Sequence, residues 1–389
     1  MNRRDFIRTT LAGAAVLPSP PPFLYVPGLA DEGRRKRLRE LGIIIGDLAP
    51  GPSNAITDVR GVRVGHTTII KGQGKGAART GVTVLLPHEG NIYNERLFAS
   101  SFGLNGWGEM TGLASIEETG LLATPIFLTG TYNVGIVQSA ALAYLQKTNP
   151  ELGISGGTVY PVVAECFDDF LSDTPSRPIS AKDVFSAIEN ASGGPVVEGA
   201  VGGGTGMTSF GFKGGIGTSS RKTKSGATVG VLVMANTGGR SQLRIDGAPV
   251  GRQIRGYEEF EKRTKSIILI AATDAPLLPY QLNKIAKRVA LGLAKVGAIS
   301  GTGSGDIILA FSTANRIPRI PGKAVQNIRA VNDFLITPLY QATVEATQEA
   351  VLNALTSAET VVGKNGNTSY GIPLDQVERI MKKYRGLGN

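Results

Sequence analysis

At 389 residues the chain can bury a large core, and 41% hydrophobic with 19% charged residues argues against intrinsic disorder. Two histidines and one cysteine, Cys166, exclude a zinc site built on those ligands and an intramolecular disulfide. The net charge of +10 lies partly in Arg34-Arg35-Lys36-Arg37-Leu38-Arg39 and Lys262 to Lys265. These runs have no interleaved aromatics, so they read as solvated surface and not as a nucleic-acid interface.

In chain order, Met1-Asn2-Arg3-Arg4-Asp5-Phe6-Ile7 places an arginine pair before a short apolar stretch and the proline-rich Pro18 to Pro22. This pattern predicts a twin-arginine export signal over residues 1–30, and hence a periplasmic or secreted protein. Leu11 to Leu17 falls short of the roughly 20 residues that cross a bilayer, and no later segment is apolar enough to do so. Ser53 to Ile70 alternates around Gly61 and predicts a hairpin; Thr80 to Leu86, Pro125 to Leu128 and Val159 to Ala164 predict strands. Val134 to Lys147 has helical spacing, and Ser180 caps a second helix that runs to about Asn190.

Clustered glycines fill Gly193 to Ser220. Val229 to Asn236, Ser266 to Thr273 and Asp306 to Ser312 are β-branched apolar runs typical of buried strands. Helices are expected over Asp274 to Val296, Ala324 to Ala358 and Leu374 to Tyr384. One unbroken alternation of strands and helices predicts a single α/β sandwich. The charged Gly256 to Lys265, directly before a core strand, is where the chain can be cut without losing the fold.

Ser266 opens the strand SIILIAAT. By itself a serine there is an ordinary turn residue. Were the preceding peptide bond broken, its hydroxyl would share a residue with a free α-amine of pKa about 8, a built-in base. Such a nucleophile suits a chain with few histidines; His66 and His88 would be the only partners for a conventional triad, and His66 reads as a packed strand histidine. Ser304 and Asp306, two apart at a strand entrance, share one face and can hold an amine. Asn236 ends a core strand and can donate to an oxyanion. Glu165, at another strand end, can receive a substrate ammonium. Gly202-Gly203-Gly204-Thr205-Gly206 lacks the Lys-Ser/Thr of a phosphate loop, so nucleotide binding is not expected.

Four blocks in order carry a resemblance: AITDVRGVRVGHTTI (55–69), GGGTGM with FGFKGGIGTSSR (202–221), SIILIAATDAPLLPYQL (266–282) and SGDIILAFST (304–313). From about residue 40 onward the chain resembles the L-aminopeptidase/D-esterases and β-peptidyl aminopeptidases, relatives of the ornithine acetyltransferases. The resemblance implies a four-layer αββα sandwich, similar to N-terminal-nucleophile hydrolases but differently connected. It implies self-cleavage between Lys265 and Ser266, giving chains 31–265 and 266–389 of one catalytic domain. Ser304 and Asp306 then match the amine-orienting pair, Asn236 the oxyanion asparagine, and Glu165 with Phe167 the region that meets the substrate's amino terminus.

No metal or other cofactor is implied, and homo-oligomers, commonly tetramers of the processed pair, are. The substrates implied are short peptides, amides or esters. Two positions depart from the pattern: Lys265 replaces Gly or Asn before the scissile bond, and Phe167 replaces Tyr or Trp. Two other readings remain open on these residues, an acyltransferase of the related fold and an unprocessed non-catalytic periplasmic protein.

Overall fold

The computed structural model describes residues 34–257 and 265–386. The expected export signal, and the charged stretch from 258 to 264, lie outside the described residues. Arg35 onward groups as one compact unit.

The strands in chain order are β1 (Arg63–Lys71), β2 (Ala78–Leu86), β3 (Glu95–Gly106), β4 (Leu121–Leu122), β5 (Ile126–Gly130) and β6 (Val162–Cys166). A small hairpin follows, β7 (Thr208–Ser209) and β8 (Phe212–Lys213), then β9 (Gly215–Lys222), β10 (Thr228–Asn236), β11 (Lys265–Thr273) and β12 (Ser304–Pro318). The helices are α1 (Leu113–Thr119), α2 (Val134–Thr148), α3 (Ala181–Glu189), α4 (Pro279–Lys295), α5 (Thr337–Thr356) and α6 (Leu374–Gly386). One sheet has the order β1-β2-β5-β6 and the other β4-β3-β12-β11-β10-β9. Pairing is antiparallel except for β5 with β6 and β11 with β12.

The layering follows from the side-chain alternation of the central strands. On β11, Ile267, Leu269 and Ala271 enter a core with Leu282, Ile285 and Val289 of α4 and Ala346 and Ala350 of α5. The intervening Ile268, Ile270 and Ala272 meet Ile126, Leu128, Val162 and Ala164 of the opposite sheet. A third core places Val82, Val84, Phe127 and Val163 against Val137, Ala141, Val184 and Ile188 of α2 and α3. Helix, sheet, sheet, helix is therefore the order of layers. A strand covered on both faces must be apolar throughout, which is why SIILIAAT has no polar alternation.

Several elements differ from the sequence expectation. Ser53 to Ile70 is not a hairpin. Asp58 accepts hydrogen bonds from the Ser53 and Ala55 amides at 2.9 and 3.1 Å and turns the chain before β1, which pairs with β2 instead. The helix expected from Asp274 starts at Pro279, because Asp274 is engaged by the Thr228 amide at 2.7 Å and proline suits the first helical turn. Of the segment 324–358 only Thr337–Thr356 is α-helical, with Pro338 again in the first turn, and a short 3-10 helix at Asp333–Leu335 precedes it. β3, which pairs along β12, was not anticipated; its ERLFASSFGLNG buries only Leu97, Ala99 and Ser101 on alternate positions and has little hydrophobic signal.

The first basic run is not simply solvated. Arg37 pairs with Glu198 at 2.6 Å, Arg39 with Glu349 at 2.8 Å, and Arg35 Nε donates to the Thr356 carbonyl at 3.0 Å. Beneath them Arg221 is fully buried, 2.6 Å from Glu349 and 3.2 Å from Glu345, and it also donates to the Ile45 carbonyl at 2.8 Å. Removing one member of such a network leaves the others charged in the interior. Arg221→Met is expected to cost about 3–5 kcal/mol, read as a lower urea midpoint. A change below about 1 kcal/mol would mean that the network does not hold α5 to the sheet.

Candidate active site

Three strand ends meet at one edge of the larger sheet. Asn236, the last residue of β10, stands opposite Ser266, the second residue of β11, in the antiparallel register. On the other side, the parallel register sets Lys265 beside Ser304 and Ser266 beside Gly305 of β12. The Gly305 amide donates to Ser266 Oγ at 3.2 Å. Ser304 Oγ donates to Asp306 Oδ1 at 2.8 Å, so the hydroxyl–carboxylate pair brackets the glycine that holds the serine. Ser304 and Asp306 bond to each other, and their link to Ser266 runs through Gly305.

Gly305 has to be a glycine. A Cβ there would lie 2.7 Å from the Trp107 carbonyl oxygen and 2.8 Å from Gly108 Cα. The close approach brings the loop after β3 over the start of β12 and makes it one wall of a cleft of about 490 Å³. Ser266, Glu165, Phe167 and Gly303 line this cleft with Trp107, Glu109, Thr131 and Tyr132. The sequence reading missed the last four. Trp107 had a usable signal, being the only tryptophan of the chain and flanked by glycines; it is 71% exposed. Tyr132 packs edge-on against Phe167, with ring centroids 5.6 Å apart.

Glu165 is buried at the end of β6. Its Oε1 accepts the Glu109 amide at 3.0 Å and its Oε2 the Thr131 hydroxyl. Burial pushes its pKa above the ordinary carboxylate range, against the two hydrogen bonds, and the nearby Glu109 adds to the rise. Asp306 is likewise pushed up by burial, while the hydrogen bond from Ser304 opposes the shift. Among the described residues its second oxygen, Oδ2, has no hydrogen-bond partner.

Asn236 is fully buried and held at both ends of its amide. Oδ1 accepts the Thr208 amide at 2.9 Å and Nδ2 donates to the Phe167 carbonyl at 3.0 Å. The sequence-derived residues Ser266, Asn236, Ser304, Asp306, Glu165 and Phe167 thus converge on one place. His66 does not join them: it lies within β1, its Nδ1 is 2.9 Å from Thr83 Oγ1, and burial pushes its pKa down to about 4. The glycine-rich stretch packs backbone on backbone; a Cβ on Gly204 would fall 2.5 Å from the Ile216 nitrogen. A larger cavity of about 750 Å³ lies at the far end of β11, around Asp274, Arg316 and Arg329, and none of the sequence-derived site residues lines it.

Known proteins share this arrangement. The model of peptidase family S58 matches residues 54–369. The β-peptidyl aminopeptidase BapA of Sphingosinicella xenopeptidilytica is 42% identical over 372 residues, covering 89% of this chain and 91% of its own. A β-aminopeptidase from a Burkholderia species superposes with a TM-score of 0.84 at 42% identity, covering 90% of this chain and 99% of that one. The L-aminopeptidase D-Ala-esterase/amidase of Ochrobactrum anthropi, described as a prototype of the serine aminopeptidases and a new variant of the Ntn hydrolase fold, gives 0.83 at 37% identity with the same coverage. With the sheet order, the layers and the converging strand ends, these matches establish the chain as a member of peptidase family S58, an aminopeptidase on a variant of the Ntn hydrolase fold.

Proposed function

We propose that this aminopeptidase cleaves itself before Ser266 and then uses that residue as nucleophile and base on short peptides, amides or esters with a free amino terminus. The observation that carries the reading is the position of Ser266. It lines the cleft, lies one residue inside a core strand, and has Asn236 across the register on one side and Gly305 on the other. Strand pairing on both sides keeps the serine in place when the bond before it breaks.

In the first reaction Ser266 Oγ attacks the Lys265 carbonyl carbon, the peptide nitrogen leaves as the Ser266 α-amine, and water hydrolyses the resulting ester. Chains 31–265 and 266–389 result. In turnover the α-amine takes the proton from Oγ as the hydroxyl attacks the substrate carbonyl. The leaving amine or alcohol departs with that proton, and water, deprotonated by the same amine, releases the acyl group. Asn236 Nδ2 stabilises the oxyanion, a contribution of about 3–4 kcal/mol for one such donor. Ser304 and Asp306 hold the α-amine, and Asp306 Oδ2 is the acceptor left for its protonated form.

Glu165, which lines the cleft, receives the substrate's ammonium, and the rings of Trp107, Tyr132 and Phe167 flank the first side chain. Lys265 in place of Gly or Asn makes the turn at the scissile bond less easily adopted, so processing is slower than in relatives with those residues. The arginine pair at the amino terminus supports export of the folded protein by the twin-arginine route to the periplasm, and the resemblance to the family supports assembly as a homo-oligomer.

Intact-mass measurement of the purified protein, with amino-terminal sequencing, is expected to give two chains, one beginning Ser266-Ile267-Ile268. Ser266→Ala is expected to stay in one piece and to leave aminoacyl p-nitroanilides uncut. A Ser266→Ala protein that still cleaves itself and turns over substrate sinks the mechanism.

The acid side of the pH profile tests Glu165. Its raised pKa means that it takes up a proton at a higher pH than an ordinary carboxylate, and the neutral acid no longer pairs with an ammonium. KM is therefore expected to rise as pH falls through a range above about 4.3, the ordinary glutamate value. Glu165→Gln is expected to raise KM about tenfold or more and to flatten that dependence. An unchanged KM in this variant would remove Glu165 from substrate binding.

A further inference from the structure

We infer that the buried ammonium of Lys213 is a positioning residue for the oxyanion site, acting on Asn236 through the single peptide group between Met207 and Thr208. This rests on the reading of Asn236 as the oxyanion donor and adds a residue remote from the substrate.

Lys213 is fully buried at the end of β8, a place where lysine is rarely found. Its Nζ lies 3.0 Å from the Gly204 carbonyl oxygen, 2.6 Å from that of Met207 and 2.8 Å from that of Gly214. Carbonyl oxygens only accept, so three such bonds need three N–H donors. A neutral amine has two, and the side chain is therefore the ammonium. The shortest of the three ends on Met207 O. The nitrogen of that same peptide group is Thr208 N, whose hydrogen goes to Asn236 Oδ1 at 2.9 Å. The path is Lys213 Nζ–H to Met207 O, through the peptide to Thr208 N–H, and on to Asn236 Oδ1.

Hydrogen bonds in series polarise one another, more so in a dry interior. A cation on the Met207 oxygen draws electron density from the peptide and makes Thr208 N–H a stronger donor. The same pull acts on the Asn236 carboxamide and leaves its Nδ2 hydrogens more positive, as a developing oxyanion requires. The relay also sets the orientation of the amide: with Oδ1 committed to Thr208, Nδ2 faces the carbonyl of Phe167, a residue that lines the cleft.

The surrounding backbone is shaped to deliver these contacts. Phe210 and Gly211 turn the β7–β8 hairpin with φ of 50° and 71°, which brings Lys213 back beside Thr208. Glycine at 214 permits the approach to the end of β10, since a Cβ there would sit 2.3 Å from the Ala235 carbonyl oxygen.

A double-mutant cycle tests the relay. Wild type, Lys213→Met, Asn236→Ala and the double variant are assayed on an aminoacyl p-nitroanilide, with turnover expressed per mole of chain beginning at Ser266. Lys213→Met is expected to lower kcat about tenfold or more with KM within about twofold. In the Asn236→Ala background the same change is expected to alter kcat by less than about twofold.

An equal loss in both backgrounds overturns the relay and leaves Asn236 as oxyanion donor. A wild-type kcat for Asn236→Ala overturns the oxyanion reading, and the relay with it. Lys213→Gln, which keeps a donor without the charge, gives the same cycle if methionine is not tolerated. The wild-type protein gives an independent reading. With asparagine side chains labelled in 15N and assigned by loss of the Asn236 signal, one Nδ2 proton is expected downfield of the ordinary amide range, and an ordinary shift overturns the proposal.

Discussion

The register of β10, β11 and β12 is the constraint on which the rest of this site depends. A strand that slips by one residue turns every side chain to the opposite face. Here a slip of β11 would take Ser266 from the face it shares with Asn236 and place it under the helices, with Ile267 in the cleft. The packing forbids that slip, because Ile268 and Ile270 fill the space between the sheets while Ile267 and Leu269 fill the space under α4 and α5. Two separate apolar cores therefore position one hydroxyl. The parallel partner β12 brings a second strand start to the same edge, which is how Gly305, Ser304 and Asp306 come to surround the beginning of β11.

Charge inside this molecule is handled in two ways. Around α5, Arg221, Glu345, Glu349 and Arg39 neutralise one another at contact distance, and the work done there is to join the segment around Arg39 and the helix α5 to the sheet. At the β7–β8 hairpin the cation of Lys213 is solvated by three main-chain carbonyls of a tight glycine-rich loop. Taking such a charge out of water is costly, and the three carbonyl dipoles offset that cost. The clustered glycines have a structural use. Without side chains at 204, 206 and 214 the backbone comes close enough for its carbonyls to hold a lysine and its amide to hold an asparagine.

The cleft combines a buried carboxylate, Glu165, with the exposed rings of Trp107 and Tyr132. Glu165 is fixed by Thr131 and by the Glu109 amide, so its carboxylate does not have to be ordered when a ligand arrives. Phe167 in place of a hydroxylated or indole side chain leaves its wall apolar, and Tyr132 packs across its edge. Trp107 stands at the rim on a loop whose neighbours are glycines, and the contact of that loop with Gly305 ties the rim to the nucleophile.

The amino-acid sequence by itself determined the elements whose signal is local. The β-branched run from Ser266 to Thr273, the helix after Asn133 and the Ser180 cap with Asp183 all appear where the pattern puts them, because short-range sterics and two-sided burial leave them no alternative. The identities of Ser266, Ser304, Asp306, Asn236 and Glu165 as strand-end polar residues were legible for the same reason. What only the tertiary structure decided is what depends on pairing between distant segments. β3 became a strand because β12 offered it a partner, and the basic run turned inward because Glu198 and Glu349 lay beneath it. Trp107 entered the cleft because Gly305 let the loop after β3 touch the start of β12, while Thr131 and Tyr132 joined it through Glu165 and Phe167. Lys213 is polar, sits among glycines and looks like a surface residue on paper. Its burial, and its line to Asn236 through one peptide group, arise only when the hairpin folds against the end of β10, since hydrogen-bond geometry is set by three-dimensional closure and leaves no periodic trace in a chain.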